Sequence, residues 1–189
     1  ATIDIDMGMT IYQLIIGFLF WIPLTILFLR LALPLVRAPF SDPVVGWVYG
    51  VTNPVFRPIE RFVPRYRNLS LTALLLFWLT ATLEYMLLFW FTGSPLAWMV
   101  GGLAGALGFA IGAMIVCVVL SALFSLFQPR AGTSIVYLVE RLAQPMLRAV
   151  RRFVPPIGPI DLSPAIVVLG LLIVRLLLTG MLYELASRV

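Results

Sequence analysis

Histidine and lysine are both absent from the 189 residues, and cysteine occurs once, as Cys117. Without imidazole there is no bis-histidine haem ligation, no imidazole metal site and no histidine general base. A single thiol precludes an intrachain disulfide, and its apolar surroundings argue against a thiolate nucleophile. No glycine-rich loop follows a strand pattern with the spacing that cradles phosphate. The seven methionines are scattered and read as core fillers. Hydrolysis or redox chemistry by this chain alone is therefore not expected. Nor is any cofactor, metal ion or nucleic-acid contact.

Charge is scarce as well. Only 11% of residues are charged and 62% are hydrophobic, a balance incompatible with a dissolved monomer. Four runs are long enough to cross a hydrocarbon core about 30 Å thick: residues 7–29, 69–91, 96–127 and 162–182. The expected fold is an all-α membrane protein with four transmembrane helices. The first run follows Asp4 and Asp6, with no basic residue before it and no small-residue cleavage pattern after it. It reads as a retained helix.

The positive charge is all arginine, and eleven of the thirteen fall in two segments. Arg30, Arg37, Arg57, Arg61, Arg65 and Arg67 lie between the first and second runs, and Arg130, Arg141, Arg148, Arg151 and Arg152 between the third and fourth. Basic residues near helix ends stay on the cytoplasmic side, so both segments are expected there and both termini outside. Trp90, Phe91 and Trp98 would form an aromatic belt around the short outer turn at Thr92–Pro95.

Those two segments are copies of one another. Asn53 to Pro64 recurs 91 residues later as Gln144 to Pro155, with six of twelve positions identical. The chain thus reads as two repeated hairpins, residues 1–92 and 93–189, related by a pseudo-twofold axis along the membrane normal. In the first copy Val44, Trp47, Val48, Val51, Val55, Ile59 and Phe62 form an apolar stripe against Gly46, Gly50, Asn53, Arg57, Glu60 and Arg61. In the second, Ile135, Leu138, Val139, Leu142, Met146, Val150 and Phe153 oppose Tyr137, Glu140, Arg141, Gln144, Arg148, Arg151 and Arg152. Each is expected to be an amphipathic helix in the membrane interface. Asn53 with Pro54 behind it predicts a new helix start, and hence a break, within the first. The arginines either meet headgroups while the helices pack on the bundle, or they recognise a partner or anionic lipid.

Glu84 and Arg175 lie deep in apolar runs at positions exactly one repeat apart, which predicts equal depth and a possible encounter. Three roles are open to them: a structural ion pair that docks the hairpins, a polar lining for an ion or solute path, or pairing with another subunit. The third run carries Gly101, Gly105, Gly108 and Gly112 among alanines, a spacing that brings helices close in lipid. Gly17 aligns with Gly108, so the first and third spans are expected to cross tightly there.

The string from Gln144 through Pro145, Arg148, Arg151, Arg152, Pro155 and Gly158, followed by Asp161-Leu-Ser163-Pro164, resembles the signature of the YggT family of small integral membrane proteins. Pro54 and Pro64 are its counterparts in the first copy. Ala149 stands where the family has proline, and Asn68-Leu-Ser-Leu71 where Asp-Leu-Ser-Pro would stand. The resemblance covers nearly the whole chain as two tandem units of the Gram-negative type. It implies a bacterial inner-membrane protein with membrane-protein partners, or a homo-oligomer. Plastid relatives are associated with cytochrome cofactor assembly and nucleoid distribution, Gram-positive ones accompany division genes, and enterobacterial ones are linked to osmotic stress and potassium balance. Physically, Asp161 to Pro164 reads as a helix start with Ser163 as its cap. Two functions follow: a non-enzymatic scaffold or assembly subunit of a membrane complex, or an ion or solute permeation component.

Overall fold

A computed structural model describes residues 2–61, 70–89, 92–127, 134–153 and 161–189. Phe62, Pro64, Arg65, Arg67, Asn68, Trp90, Phe91, Arg130, Pro155 and Gly158 lie outside the described residues. The order is α1 (Thr2–Leu35), α2 (Pro43–Ile59), α3 (Leu71–Leu88), α4 (Pro95–Phe127), α5 (Ser134–Arg151) and α6 (Ser163–Arg188), with no strand among the described residues. Four segments are long and apolar enough to span a membrane: Thr10–Leu35, Leu71–Leu88, Pro95–Leu126 and Ser163–Arg188. α2 and α5 are instead amphipathic.

Helix ends are set by local chemistry. Ser70 accepts from Ala73 N–H at 3.2 Å to open α3, and Ser94 accepts from Ala97 N–H at 3.0 Å to open α4. Between α3 and α4, Gly93 turns the chain at φ +101°, a conformation that side chains resist. The Trp98 indole donates to the Thr92 carbonyl at 2.8 Å across this turn. α1 ends at a left-handed Arg37, φ 52°. Arg141 of α5 donates to the carbonyls of Val36 and Arg37 at 3.0 and 2.8 Å, supplying partners that the end of a helix lacks.

α3 lies between α1 and α4, and α4 between α3 and α6. Phe20, Leu24, Phe28, Phe77, Ala81 and Ala106 form the central cluster, joined from below by Leu142 of α5. Phe77 meets Phe28 at 6.5 Å and Phe109 edge-on at 6.0 Å, ring contacts worth about 1 kcal/mol each. Lipid is as apolar as these side chains, so close packing rather than exclusion from water holds the spans together.

Two expectations change here. α2 begins at Asp42, which accepts from Val44 N–H at 2.9 Å and Val45 N–H at 3.4 Å, and runs unbroken past Asn53 and Pro54. The carbonyl freed by Pro54 belongs to exposed Gly50, so the missing bond needs no protein partner. The buried face of α2 is Val45, Val48, Thr52 and Phe56, whereas Trp47, Val51 and Val55 point outward. α5 follows expectation at Leu138, Val139 and Leu142, adds Ala143 and Leu147, and leaves Ile135 and Phe153 exposed. Contact with α1, rather than hydrophobicity alone, chose the inner face of α2.

Candidate functional site

Two groups of polar residues are fastened to this frame, one at the amphipathic helices and one within the spans. The first has an unexpected centre. Arg30, assigned from sequence to the basic connection, sits inside α1 and is 2% exposed. Its guanidinium lies 3.5 Å from the centre of the Tyr49 ring and 4.9 Å from that of Phe56. It also donates to Asn53 Oδ1 at 3.2 Å and faces Glu60 Oε1 at 3.8 Å. Asn53 is therefore an acceptor for Arg30 rather than a helix cap. One arginine thereby locks α2 to α1, and the sequence signal for it was the single charge one turn before Pro34.

The second copy is fastened differently. Arg151 donates to Asp161 Oδ2 from Nε at 3.0 Å and from Nη2 at 2.6 Å. Asp161 Oδ1 accepts from Ser163 N–H at 2.9 Å, so Asp161 opens α6, while Leu162 holds the cap position and Ser163 is the first helical residue. The capping role read for Ser163 belongs to Asp161, because a carboxylate one residue further out can serve helix and arginine together. Hydrogen bonding to Ser163, then to Arg151, holds the Asp161 carboxyl below its ordinary range. Pro164 follows in the first turn of α6. Pro54 lies inside α2 instead of at a helix start, and Pro145 lies inside α5. Arg57, Arg61, Arg148 and Arg152 are exposed, Arg148 being steadied by Gln144 at 3.0 Å.

The second group lines a cleft of about 260 Å³ bounded by α3, α4 and α6. Gly105 and Gly108 form its floor, Ala81, Glu84 and Tyr85 one wall, and Arg175, Thr179 and Tyr183 the other. The backbones of α3 and α6 stay apart, and the rings of Tyr85 and Tyr183 stack across the gap at 6.1 Å. Glu84 is half-buried and Arg175 exposed.

The two charges share this cleft without a direct ion pair among the described residues. Tyr85, next to Glu84, meets α4 at Gly101, whereas the guanidinium of Arg175 lies against Gly112. The encounter expected from the repeat takes the form of a shared cleft, with no ion pair between the two charges among the described residues.

The glycines also pack differently from expectation. A Cβ on Gly101 would strike the Tyr85 ring, and one on Gly108 would come within 3.1 Å of Thr179. Gly105 faces Ala81 and Tyr183 at 3.9 Å, and Gly112 faces Arg175 at 3.6 Å. Gly17 meets nothing within 4 Å, so it makes no tight crossing with α4. α1 reaches the centre through Phe20, Leu24 and Phe28 instead. Gly102 falls outside the four-residue spacing of the stripe, yet a Cβ there would overlap the Thr82 backbone.

Comparison with known proteins agrees with the internal repeat. The CCB3/YggT family model matches residues 9–91 and again 100–182, two stretches whose starts differ by the same 91 residues. A Haemophilus influenzae protein described only as uncharacterized is 32% identical over 160 residues, 84% of this chain and 86% of its own. The Escherichia coli K12 protein YggT, also described as uncharacterized, is 30% identical over 152 residues, 80% of each chain. No solved structure matches. Two tandem matches that together cover most of all four apolar spans and both amphipathic helices place this chain in the CCB3/YggT family.

Proposed function

We propose that the chain is a non-enzymatic subunit that scaffolds, assembles or stabilises a membrane-protein complex, and that its amphipathic helices present the binding surface. The observation that carries this reading is the way α2 and α5 are fixed to the spans. Arg30 clamps α2, Arg141 caps α1 from α5, and the Arg151–Asp161 bridge joins the end of α5 to the start of α6. Arg57 and Arg148 are left on exposed positions of these anchored helices, and Arg61 and Arg152 are exposed just beyond their ends. Exposed guanidinium groups suit bidentate contact with partner carboxylates or anionic headgroups. In this reading these arginines lie at the cytoplasmic face of a bacterial inner membrane, with the termini opposite.

Isolation from native membranes in mild detergent, followed by mass spectrometry of everything that travels with the protein at constant ratio, tests the reading. A partner of fixed stoichiometry is expected, and its recovery should fall when Arg57, Arg61, Arg148 and Arg152 are changed to Gln. Recovery of the chain alone, or with itself only, would remove the scaffold role.

A second reading, a permeation component for ions or solutes serving osmotic stress or potassium balance, draws on the polar cleft that holds Glu84 and Arg175. It requires flux through proteoliposomes of the purified protein that Glu84→Gln and Arg175→Gln each reduce.

A further inference from the structure

Arg175 stands at the centre of the 26-residue α6, with roughly 18 Å of helix on either side. That distance is beyond what snorkelling toward headgroups covers. A charge left unpaired at this depth is costly even on the lenient insertion scales, so a counter-charge is called for. Among the described residues no carboxylate pairs with Arg175, although Glu84 lines the same cleft.

We propose that the cleft over Gly105 and Gly108 is the docking groove for a transmembrane helix of a partner, whose mid-span Asp or Glu enters it and pairs with Arg175. This deepens the proposed scaffold role and rests on it. Charge complementarity argues for the acid. The volume argues for its manner of entry: about 260 Å³ accommodates side chains but not a helix, so the helix lies across the mouth and projects its carboxylate inward. The mouth opens between α3 and α6, toward hydrocarbon. A carboxylate already carried in the bilayer reaches it more readily than a free anion, which would first have to leave water. The glycine floor gives the depth, because side chains at Gly105 and Gly108 would fill the space the acid needs. The outer face of α6 is free to receive a neighbour, since only Ser163, Val167 and Ala186 of that helix are buried.

The test uses the full chain in liposomes with a synthetic polyleucine transmembrane helix that carries one central glutamate, and association is followed by fluorescence energy transfer. Relative to the same helix with central glutamine, the glutamate helix should associate about tenfold more tightly. Arg175→Gln should abolish that preference. Arg175→Glu should transfer it to a helix with central lysine, which keeps the test decisive if the glutamine variant folds poorly. Equal binding of the two helices, or a glutamate preference that survives Arg175→Gln, would overturn the proposal. So would self-association of the chain that both Glu84→Gln and Arg175→Gln abolish, because a second copy would then occupy the cleft. A native complex unaffected by Arg175→Gln would refute the groove while leaving the scaffold role intact.

Discussion

Arg30 shows how much one side chain can decide. Its planar cation covers the Tyr49 ring while reaching Asn53 and Glu60, a combination that a point charge on a flexible stem does not reproduce. Arg30→Ala is expected to destabilise the detergent-solubilised protein by about 2–3 kcal/mol, with Glu60 partly rehydrating, and Arg30→Lys should recover little of it. Thermal unfolding followed by circular dichroism would measure both. Asp161 offers a test by pH. Its carboxyl is held low in the folded protein, so its contribution is full above the ordinary aspartate value near 3.9 and is lost as pH falls through the lower folded value. Exchange of the Ser163 amide should therefore accelerate only in that acid window, and Asp161→Asn should erase the step. Neither role stands out in the sequence: Arg30 has only its place one turn before Pro34 to set it apart from the other basic connectors, and the capping signal points to Ser163 because hydroxyls commonly cap.

At the scale of elements, the small residues of α4 divide into those that touch and those that do not. Gly102→Ala is expected to cost about 1–3 kcal/mol, since its methyl would press on the Thr82 backbone, which cannot rotate away. Gly17→Ala should leave stability unchanged or slightly raised, because nothing lies within 4 Å. Thermal midpoints of the two variants, compared in one detergent, would separate them. The sequence showed that α4 packs closely, but a glycine stripe on an all-apolar helix has no polar face to say which neighbour it meets. For α2 the stripe was legible in part. Val48 is buried as expected, whereas Trp47, Val51 and Val55 gave way to Val45, Thr52 and Phe56 once Arg30 drew Tyr49 and Asn53 inward.

For the whole molecule, two copies of one unit have not made two equal halves. Moving 91 residues on from Arg30 gives Ser121, and from Tyr49 gives Glu140, so the clamp on α2 exists once. The second copy answers with Arg151–Asp161 and lends Arg141 to the end of α1. Orientation can be mapped in a Cys117→Ser background. Thr92→Cys should react with a membrane-impermeant thiol reagent added to intact spheroplasts, and Gln144→Cys only after the membrane is opened. The reverse pattern would invert the topology drawn from the arginines.

Composition and periodicity alone determined that this is an all-helical membrane chain, which segments are apolar enough to span, that two amphipathic helices accompany them, and that the unit is repeated. Those properties follow from how each stretch partitions between water and hydrocarbon, a local matter that a linear sequence records. Tertiary structure alone decided that Glu84 and Arg175 share a cleft without pairing, that Arg30 is a buried clamp, and that Gly102 rather than Gly17 marks a close crossing. Each of these depends on the register of one helix against another. Register is set by side chains meeting across long sequence separations, where an offset of a few residues shifts a charge by many ångströms.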